Sequence, residues 1–196
     1  MHLSDAVLNV LGILAMLTGV GYAVLAARRN RWCWVSGAFS SALIALLSWI
    51  GKLPMQAGLQ VFFVGMSVYG WMSWTRSSAS GELPVTLWPI RWHLLAALTL
   101  TLLSFLSARP LAEETDAAWP LLDSLTVWFS LLATWLVARA KLENWLYWIV
   151  IDVVLVFLFY DRGQPWVAML YVLLIVIASA GFIAWRRRLH AQMVPA

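Results

Sequence analysis

Long apolar runs, separated by short junctions rich in charged and turn-forming residues, occupy most of this chain. A helix needs about 20 predominantly apolar residues to cross the hydrocarbon core of a bilayer. Seven runs approach that length and predict helices over residues 7–27, 32–51, 55–74, 92–108, 120–140, 145–161 and 165–185. We therefore expect an all-α integral membrane protein with seven transmembrane helices.

The basic residues at the junctions predict the orientation of these helices. If every run crosses the membrane, one side carries ten basic residues: Arg28, Arg29, Arg31, Arg76, Arg91, Arg139, Lys141, Arg186, Arg187 and Arg188. The other side carries three, which are Lys52, Arg109 and Arg162. Since cytoplasmic loops hold the excess of lysine and arginine, we expect the N-terminus outside and the C-terminus in the cytoplasm.

Composition supports a membrane protein and excludes several functions. Of the 196 residues, 63% are hydrophobic and 11% are charged, whereas soluble domains are about 45–50% apolar and about 25% charged. The sequence has no metal-ligand cluster, glycine-rich phosphate loop or nucleophile elbow. The basic residues flank apolar runs and form no extended basic face. We expect no enzyme activity, no cofactor, no metal and no nucleic-acid partner.

The chain repeats itself at an offset of 111 residues, without a gap. The offset aligns Arg28 with Arg139, Trp34 with Trp145, Pro54 with Pro165, Gly70 with Gly181, Trp74 with Trp185 and Arg76 with Arg187. Helices one to three then recur as helices five to seven in the same orientation, which predicts a 3+1+3 parallel internal repeat with a central linker helix. We expect a first three-helix repeat over 1–76, a linker with helix four over 77–119, a second repeat over 120–188 and a cytoplasmic tail over 189–196.

Asp152 is the most informative residue, because it lies well inside the sixth apolar run. An ionised carboxylate at the centre of a membrane helix costs about 2.5–3.5 kcal/mol on insertion scales, so it needs a cation, a proton or water. Trp145 and Trp148 precede it at positions i, i+3 and i+7, which places all three on one helical face. Two indoles and a carboxylate suit a flat organic cation, although each tryptophan alone is more often a packing or interfacial residue.

Further candidates line the seam between the repeats, where such transporters bind substrate. Gln56, Gln60, Ser67 and Trp71 follow one stripe of helix three. Gln60 would contact substrate or join helices. The offset makes Ser41 the counterpart of Asp152 and Tyr171 the counterpart of Gln60. Glu143 and Asn144 precede Trp145, where they would gate the exit or begin the helix.

Tryptophan is the compositional outlier, with 14 residues. Nine lie at or near predicted helix ends: Trp32, Trp34, Trp49, Trp74, Trp88, Trp92, Trp119, Trp166 and Trp185. Indole suits the headgroup region, since its ring is apolar and its N–H can remain hydrated. We expect these nine to form interfacial belts.

Two stretches carry a resemblance to a known family. The segment from Gln60 to Trp74 (QVFFVGMSVYGWMSW) and the segment from Glu143 to Asp152 (ENWLYWIVID) resemble the Pnu family of bacterial vitamin transporters. The resemblance implies a seven-helix 3+1+3 fold, often trimeric, in the bacterial inner membrane. It also implies facilitated diffusion of nicotinamide riboside, thiamine or riboflavin, with a cytoplasmic kinase trapping the vitamin, and it makes Trp145, Trp148 and Gln60 substrate contacts.

The choice of vitamin depends on Asp152. Nicotinamide riboside transporters of the family typically have Asn at this position. A carboxylate can pair with a protonated aminopyrimidine while a thiazolium stacks on indole, so thiamine is the preferred substrate and nicotinamide riboside the alternative. Riboflavin is neutral and large, which makes a buried carboxylate harder to explain. A membrane-integral enzyme or a non-transporting scaffold is the competing class, but one carboxylate provides no convergent catalytic groups.

Overall fold

The structure is a computed structural model that describes residues 4–52, 54–78, 83–114 and 119–193. It has seven α-helices: α1 (Asp5–Ala27), α2 (Cys33–Ile50), α3 (Pro54–Ser78), α4 (Ile90–Glu114), α5 (Pro120–Ala138), α6 (Asn144–Asp161) and α7 (Pro165–Met193). In this part of the chain the β structure is one isolated bridge between Thr86 and Lys141. The predicted all-α class and the seven helices are confirmed, and each helix begins within two residues of its expected start.

Three helices continue beyond the ends that the apolar pattern predicts. α3, α4 and α7 extend four, six and eight residues further, through polar and charged positions such as Arg186 to Arg188. The apolar pattern marks the part of a helix that suits hydrocarbon, whereas the backbone hydrogen bonds continue into water until a breaking residue is reached. These extensions therefore lie outside the apolar core of each helix.

Six of the helices are long and apolar enough to cross a membrane, and α3 is not among them. Its polar positions include Gln60, Ser67 and Ser73, which reduce its apolar character. Of the seven expected transmembrane helices, length and composition therefore support six, and these six make the protein a multi-pass membrane protein.

The chain forms two compact units, and the boundary between them lies between Leu83 and Pro84. In the first unit α2 packs against both α1 and α3. In the second unit α4 packs against α5, α5 against α6 and α6 against α7. α4 thus belongs to the second unit. Each unit is a short layer of antiparallel neighbours, as short connections between helices favour.

A buried indole organises the first unit. Trp34, at the start of α2, is 1% exposed and meets Trp74 of α3 edge to face, with ring centroids 5.6 Å apart at 88°. Tyr22 of α1 contacts the same indole at 5.8 Å. Gly70 lets the indole approach the α3 backbone, because a Cβ added there would overlap the ring. The indole therefore joins all three helices.

The same arrangement is found in the second unit. Trp145 of α6 meets Trp185 of α7 at 5.5 Å and 89°, and a Cβ on Gly181 would lie 2.8 Å from the indole. Trp145, Trp185 and Gly181 are each 111 positions after Trp34, Trp74 and Gly70. Two pairs of turn residues with positive φ, Arg29 with Ala140 and Lys52 with Gly163, have the same separation.

The belt expectation is wrong for three tryptophans. Trp34, Trp74 and Trp185 are 1%, 4% and 0% exposed, so they are core residues of the two units. The physical reason is the glycine opposite each indole pair, which provides a slot deep enough for a ring. Trp49 and Trp166 are 69% and 81% exposed, as interfacial residues would be.

We expect Gly70→Ala to destabilise the protein by about 1–3 kcal/mol, because the added methyl group overpacks against Trp34. Gly65→Ala on the same helix is the matched control, since nothing lies within 4 Å of its added Cβ. Alanine favours a helix over glycine by about 1 kcal/mol, so the control should be neutral or stabilising. Thermal unfolding of the detergent-purified variants measures both, and equal midpoints would contradict this packing.

Candidate substrate-binding site

Asp152 differs from Asp123 and Asp161, two other carboxylates of the second unit. Asp123 pairs with Arg162, and Asp161 accepts a hydrogen bond of 2.8 Å from the Trp119 indole N–H. Asp152 is 4% exposed, and within the described segments nothing forms a hydrogen bond or ion pair with its carboxylate. A buried carboxylate without such a partner is costly. This position therefore calls for a proton, a water molecule or a bound cation.

Trp148 provides the aromatic surface nearest to Asp152 along α6. It lies four residues before Asp152 and so occupies the preceding turn on the same face of the helix. Its side chain is partly exposed, unlike that of Trp145. An indole face next to an unpaired carboxylate attracts a flat cation.

Trp145 packs through its indole ring, and its indole N–H is a hydrogen-bond donor without an acceptor in the described residues. Its ring is held by Trp185 and Gly181, as described above, and it is 3% exposed. Its Nε1 is buried and, among the residues that the structure describes, has no hydrogen-bond partner. A hydroxyl or carbonyl oxygen of a ligand would complete this missing interaction.

Asn144 begins α6 and also keeps an unused acceptor. Its side-chain amide donates a hydrogen bond of 2.6 Å to the Lys141 carbonyl, which closes the turn before the helix. This geometry supports the helix-start role. Its Oδ1 is buried and lacks a partner in the described residues, so the side chain can still accept a hydrogen bond.

Tyr171 of α7 lies within the range of an electrostatic interaction with Asp152. Its ring stacks on Phe159, with centroids 5.3 Å apart at 16°. The second unit therefore places Tyr171 on α7 within electrostatic range of Asp152 on α6.

The remaining candidates lie in the first unit and differ in burial. Gln60 is 8% exposed, whereas Gln56 is exposed and Ser41 is partly buried. Trp71 is already in contact with two neighbours: the Trp32 ring at 5.3 Å and the Arg31 guanidinium at 5.5 Å. Of these four, Gln60 is the buried polar group.

Sequence reasoning did not identify two polar groups of the first unit as candidate substrate contacts. The Tyr22 hydroxyl and the Trp34 indole N–H are buried, and the described residues provide no hydrogen-bond partner for either. The offset of 111 residues could have identified Trp34, because it aligns with Trp145. No sequence signal identifies Tyr22, since its position depends on Gly37, whose added Cβ would lie 2.9 Å from the Tyr22 ring.

The fold and its residues can now be compared with known proteins. A family model described as nicotinamide mononucleotide transporter matches residues 9–187. The riboflavin/roseoflavin transporter RibM of Streptomyces davaonensis is 27% identical over 98% of this chain and 88% of its own length. The nicotinamide riboside transporter PnuC of Escherichia coli is 26% identical over 91% of this chain and 84% of its own length.

A solved structure has the same fold. The crystal structure of the vitamin B3 transporter PnuC matches with a TM-score of 0.72 at 22% identity, over 92% of this chain and 82% of that one. The resemblance to the Pnu family is thereby confirmed, whereas these relatives give the preference for thiamine no support. Since the family model spans nearly all seven helices, this chain belongs to the nicotinamide mononucleotide transporter family, whose members are transporters rather than enzymes.

Proposed function

We propose that this protein carries nicotinamide riboside across the membrane by facilitated diffusion. The observation that supports this proposal most strongly is the buried Asp152 carboxylate, which has no partner in the described residues and follows Trp148 by four residues, one turn along α6. Nicotinamide riboside has a flat pyridinium cation and a ribose with free hydroxyl groups. The cation can stack on indole, and the carboxylate can balance the charge and accept hydrogen bonds from the ribose.

Nicotinamide riboside replaces thiamine as the preferred substrate. The argument for thiamine rested on Asp152 standing where nicotinamide riboside transporters typically have Asn. A buried carboxylate stabilises either cation, however, and a relative named for nicotinamide riboside aligns over 91% of this chain. A hydrogen-bond acceptor at this position would be enough to bind the riboside, and the carboxylate of Asp152 adds electrostatic attraction for its positive charge.

Riboflavin is the second candidate, since RibM aligns over 98% of this chain. An isoalloxazine ring could also stack on Trp148, but it is neutral and leaves the charge of Asp152 unbalanced. The two vitamins therefore differ in how they depend on Asp152, and a substitution there separates them.

We assign the contacts of the second unit by their unused hydrogen-bonding groups. Asp152 and Trp148 hold the charged ring, and the Trp145 N–H and Asn144 Oδ1 offer a donor and an acceptor for the carboxamide or the ribose. Tyr171 adds a hydroxyl group within electrostatic range of Asp152. These groups together suit a cation with several polar substituents.

In the first unit, Gln60 is our leading contact, because a buried amide in a membrane helix requires hydrogen-bond partners. Trp71 and Ser41 are secondary contacts. Gln56 is exposed, which favours contact with solvent or lipid headgroups over contact with a buried ligand.

The transport mechanism that we propose is alternating access by two similar three-helix repeats. Indole pairs, glycine slots and turns recur 111 residues apart in α1–α3 and α5–α7, which supports a 3+1+3 parallel repeat with α4 as the linker. In this scheme α3 crosses the membrane as α7 does. Its lower hydropathy suits a helix that faces a polar substrate path.

We place the protein in the bacterial inner membrane, with the N-terminus outside and the C-terminus in the cytoplasm. The distribution of ten basic residues against three supports this orientation. Facilitated diffusion stops when concentrations are equal, so net uptake needs a cytoplasmic kinase that phosphorylates the vitamin. A homotrimer is proposed from the resemblance to the Pnu family alone.

We expect Asp152→Asn to weaken nicotinamide riboside binding about three- to tenfold, because the charge is lost while a hydrogen-bond acceptor remains. Asp152→Leu should weaken binding further, since it removes both. Titration calorimetry of the purified protein measures the affinities. Riboflavin, thiamine and nicotinamide riboside are compared in parallel.

The same titration can also contradict the proposed substrate or its binding site. Nicotinamide riboside binding that is unchanged in both Asp152 variants would refute the cation site. Riboflavin binding in the absence of nicotinamide riboside binding would support the second candidate, and thiamine binding that is lost in Asp152→Asn would restore the earlier preference.

We expect Trp148→Ala to weaken nicotinamide riboside binding at least about tenfold, because the stacking surface for the cation is removed. Trp148→Phe should lose less, as a smaller aromatic ring remains. Trp166→Ala is the control, since this indole is 81% exposed. If Trp148→Ala binds as tightly as the Trp166→Ala control, Trp148 is not a contact.

A further inference from the structure

A second buried polar cluster lies apart from Asp152 and joins α4 to α6. His93, near the start of α4, contacts the Tyr147 hydroxyl through Nδ1 at 2.8 Å. Its Nε2 lies 3.7 Å from Oε1 of Glu143, the residue before α6 begins. Both ionisable side chains are largely buried, at 14% and 18% exposed. The transport site described above uses neither of them.

The segment before α4 forms hydrogen bonds with Glu143 and with the turn between α5 and α6. The Trp88 backbone N–H donates to Glu143 Oε1 at 2.8 Å. The Thr86 N–H donates to the Ala140 carbonyl at 3.1 Å, and the Leu142 N–H donates to the Thr86 carbonyl at 3.0 Å. Residues 84–88 are therefore bound to the turn between α5 and α6, and Glu143 holds the end of this segment nearest to α4.

Aromatic rings and a few charged groups surround the imidazole. Trp88 packs edge-on against His93 at 4.7 Å, and Tyr147 stacks on it at 5.7 Å. α5 contributes the rings of Trp135, which contacts Trp88, and Phe129, which contacts Tyr147. The charged neighbours are Lys141, bonded to Thr86 Oγ1 at 3.0 Å, and Arg91, whose guanidinium lies over Trp92.

Protonation of His93 changes the charge of this cluster. A neutral imidazole can accept a hydrogen bond from the Tyr147 hydroxyl at Nδ1 and direct its N–H on Nε2 towards Glu143, but it carries no charge to attract the carboxylate. The distance of 3.7 Å from Nε2 to Glu143 is longer than a hydrogen bond, and Glu143 Oε2 is buried without a partner in the described residues. An imidazolium donates through both nitrogens and pairs with the carboxylate.

We propose that His93 and Glu143 form a pH-responsive latch that positions the beginning of α6. Histidine gains its charge within the physiological pH range, and the charged form ties α4 and residues 84–88 more firmly to α6. Trp145 and Trp148 lie within the first two turns of α6, so the latch holds the residues assigned to substrate. The effect of the latch on transport rests on the proposed function, whereas the existence of the latch is independent of that function.

Amide hydrogen exchange of the whole detergent-purified protein tests the latch without any substrate. The Trp88 amide and its neighbours over 84–89 should be protected several-fold more in the wild type than in His93→Gln at pH 6, after correction for intrinsic exchange rates. At pH 8 the difference should shrink to about twofold or less. Glu143→Gln should show the same loss at pH 6.

His190→Gln is the matched control, because this histidine lies exposed near the end of α7, and its protection over 84–89 should equal that of the wild type. Equal protection in the wild type and both latch variants at pH 6 would overturn the latch. A loss that is the same at both pH values would also overturn it, since it would show a purely structural role. If one variant fails to fold, the other carries the same comparison.

Exchange of labelled nicotinamide riboside across proteoliposomes then connects the latch to transport. The wild-type rate should fall roughly two- to fivefold from pH 8 to pH 6, while His93→Gln should give a flat profile. A flat wild-type profile would overturn the role in transport. Failure of the wild type to carry this substrate at any pH would refute the proposed function and leave the hydrogen-exchange result as the test of the latch.

Discussion

The requirement that a polar group inside a membrane must find a partner governs this protein. Most polar side chains of the apolar helices meet it locally or across a helix contact: Ser36 and Ser40 of α2, for example, donate to the carbonyls of Thr18 and Ala15 on α1, each at 2.7 Å. Such bonds satisfy hydroxyl groups without a ligand. Asp152 differs from these hydroxyl groups because it is an acidic side chain within α6 to which the described residues provide no hydrogen bond or ion pair. A protein that keeps such a carboxylate gains a site for a cation, and that gain gives the position its proposed function.

The indole-on-glycine contacts supply the rigidity that such a site needs. In each unit one tryptophan of the middle helix fills a slot above a glycine and meets a second tryptophan nearly at right angles. Close packing of this kind transmits displacement as a rigid body. Trp145 packs through its ring, while its buried N–H has no partner in the described residues and is free for the substrate contact that we propose. The start of α6 is thus fixed from the α7 side by this packing and from the α4 side by His93 and Glu143.

Apolar periodicity was sufficient to predict the number of helices and their starting points, because hydrocarbon imposes length and composition on each span. It could not locate the ends of α3, α4 and α7, since hydrophobicity does not report where backbone hydrogen bonding stops. The pattern also misassigned Trp34, Trp74 and Trp185, because their burial depends on contacts between helices. The glycine that faces Trp34 lies 36 residues later in the sequence, and Trp74 and Trp185 each lie one helical turn after the glycine of their own helix. Asp152 was found from its depth alone, whereas the cluster of His93 and Tyr147 was missed because these residues are 54 positions apart. Trp71 was selected by its spacing, but its contacts with Arg31 and Trp32 arise from tertiary packing.

The central claim is that this protein recognises the positive charge of a flat ring through Asp152 and Trp148. The most direct measurement compares the affinity of the wild-type protein for nicotinamide riboside with its affinity for the reduced riboside, whose dihydropyridine ring has the same substituents but no charge. The account predicts that the charged form binds at least about tenfold more tightly, since cation–indole attraction and the carboxylate both act on it alone. Equal affinity for the two forms, or tighter binding of the neutral one, would contradict the account.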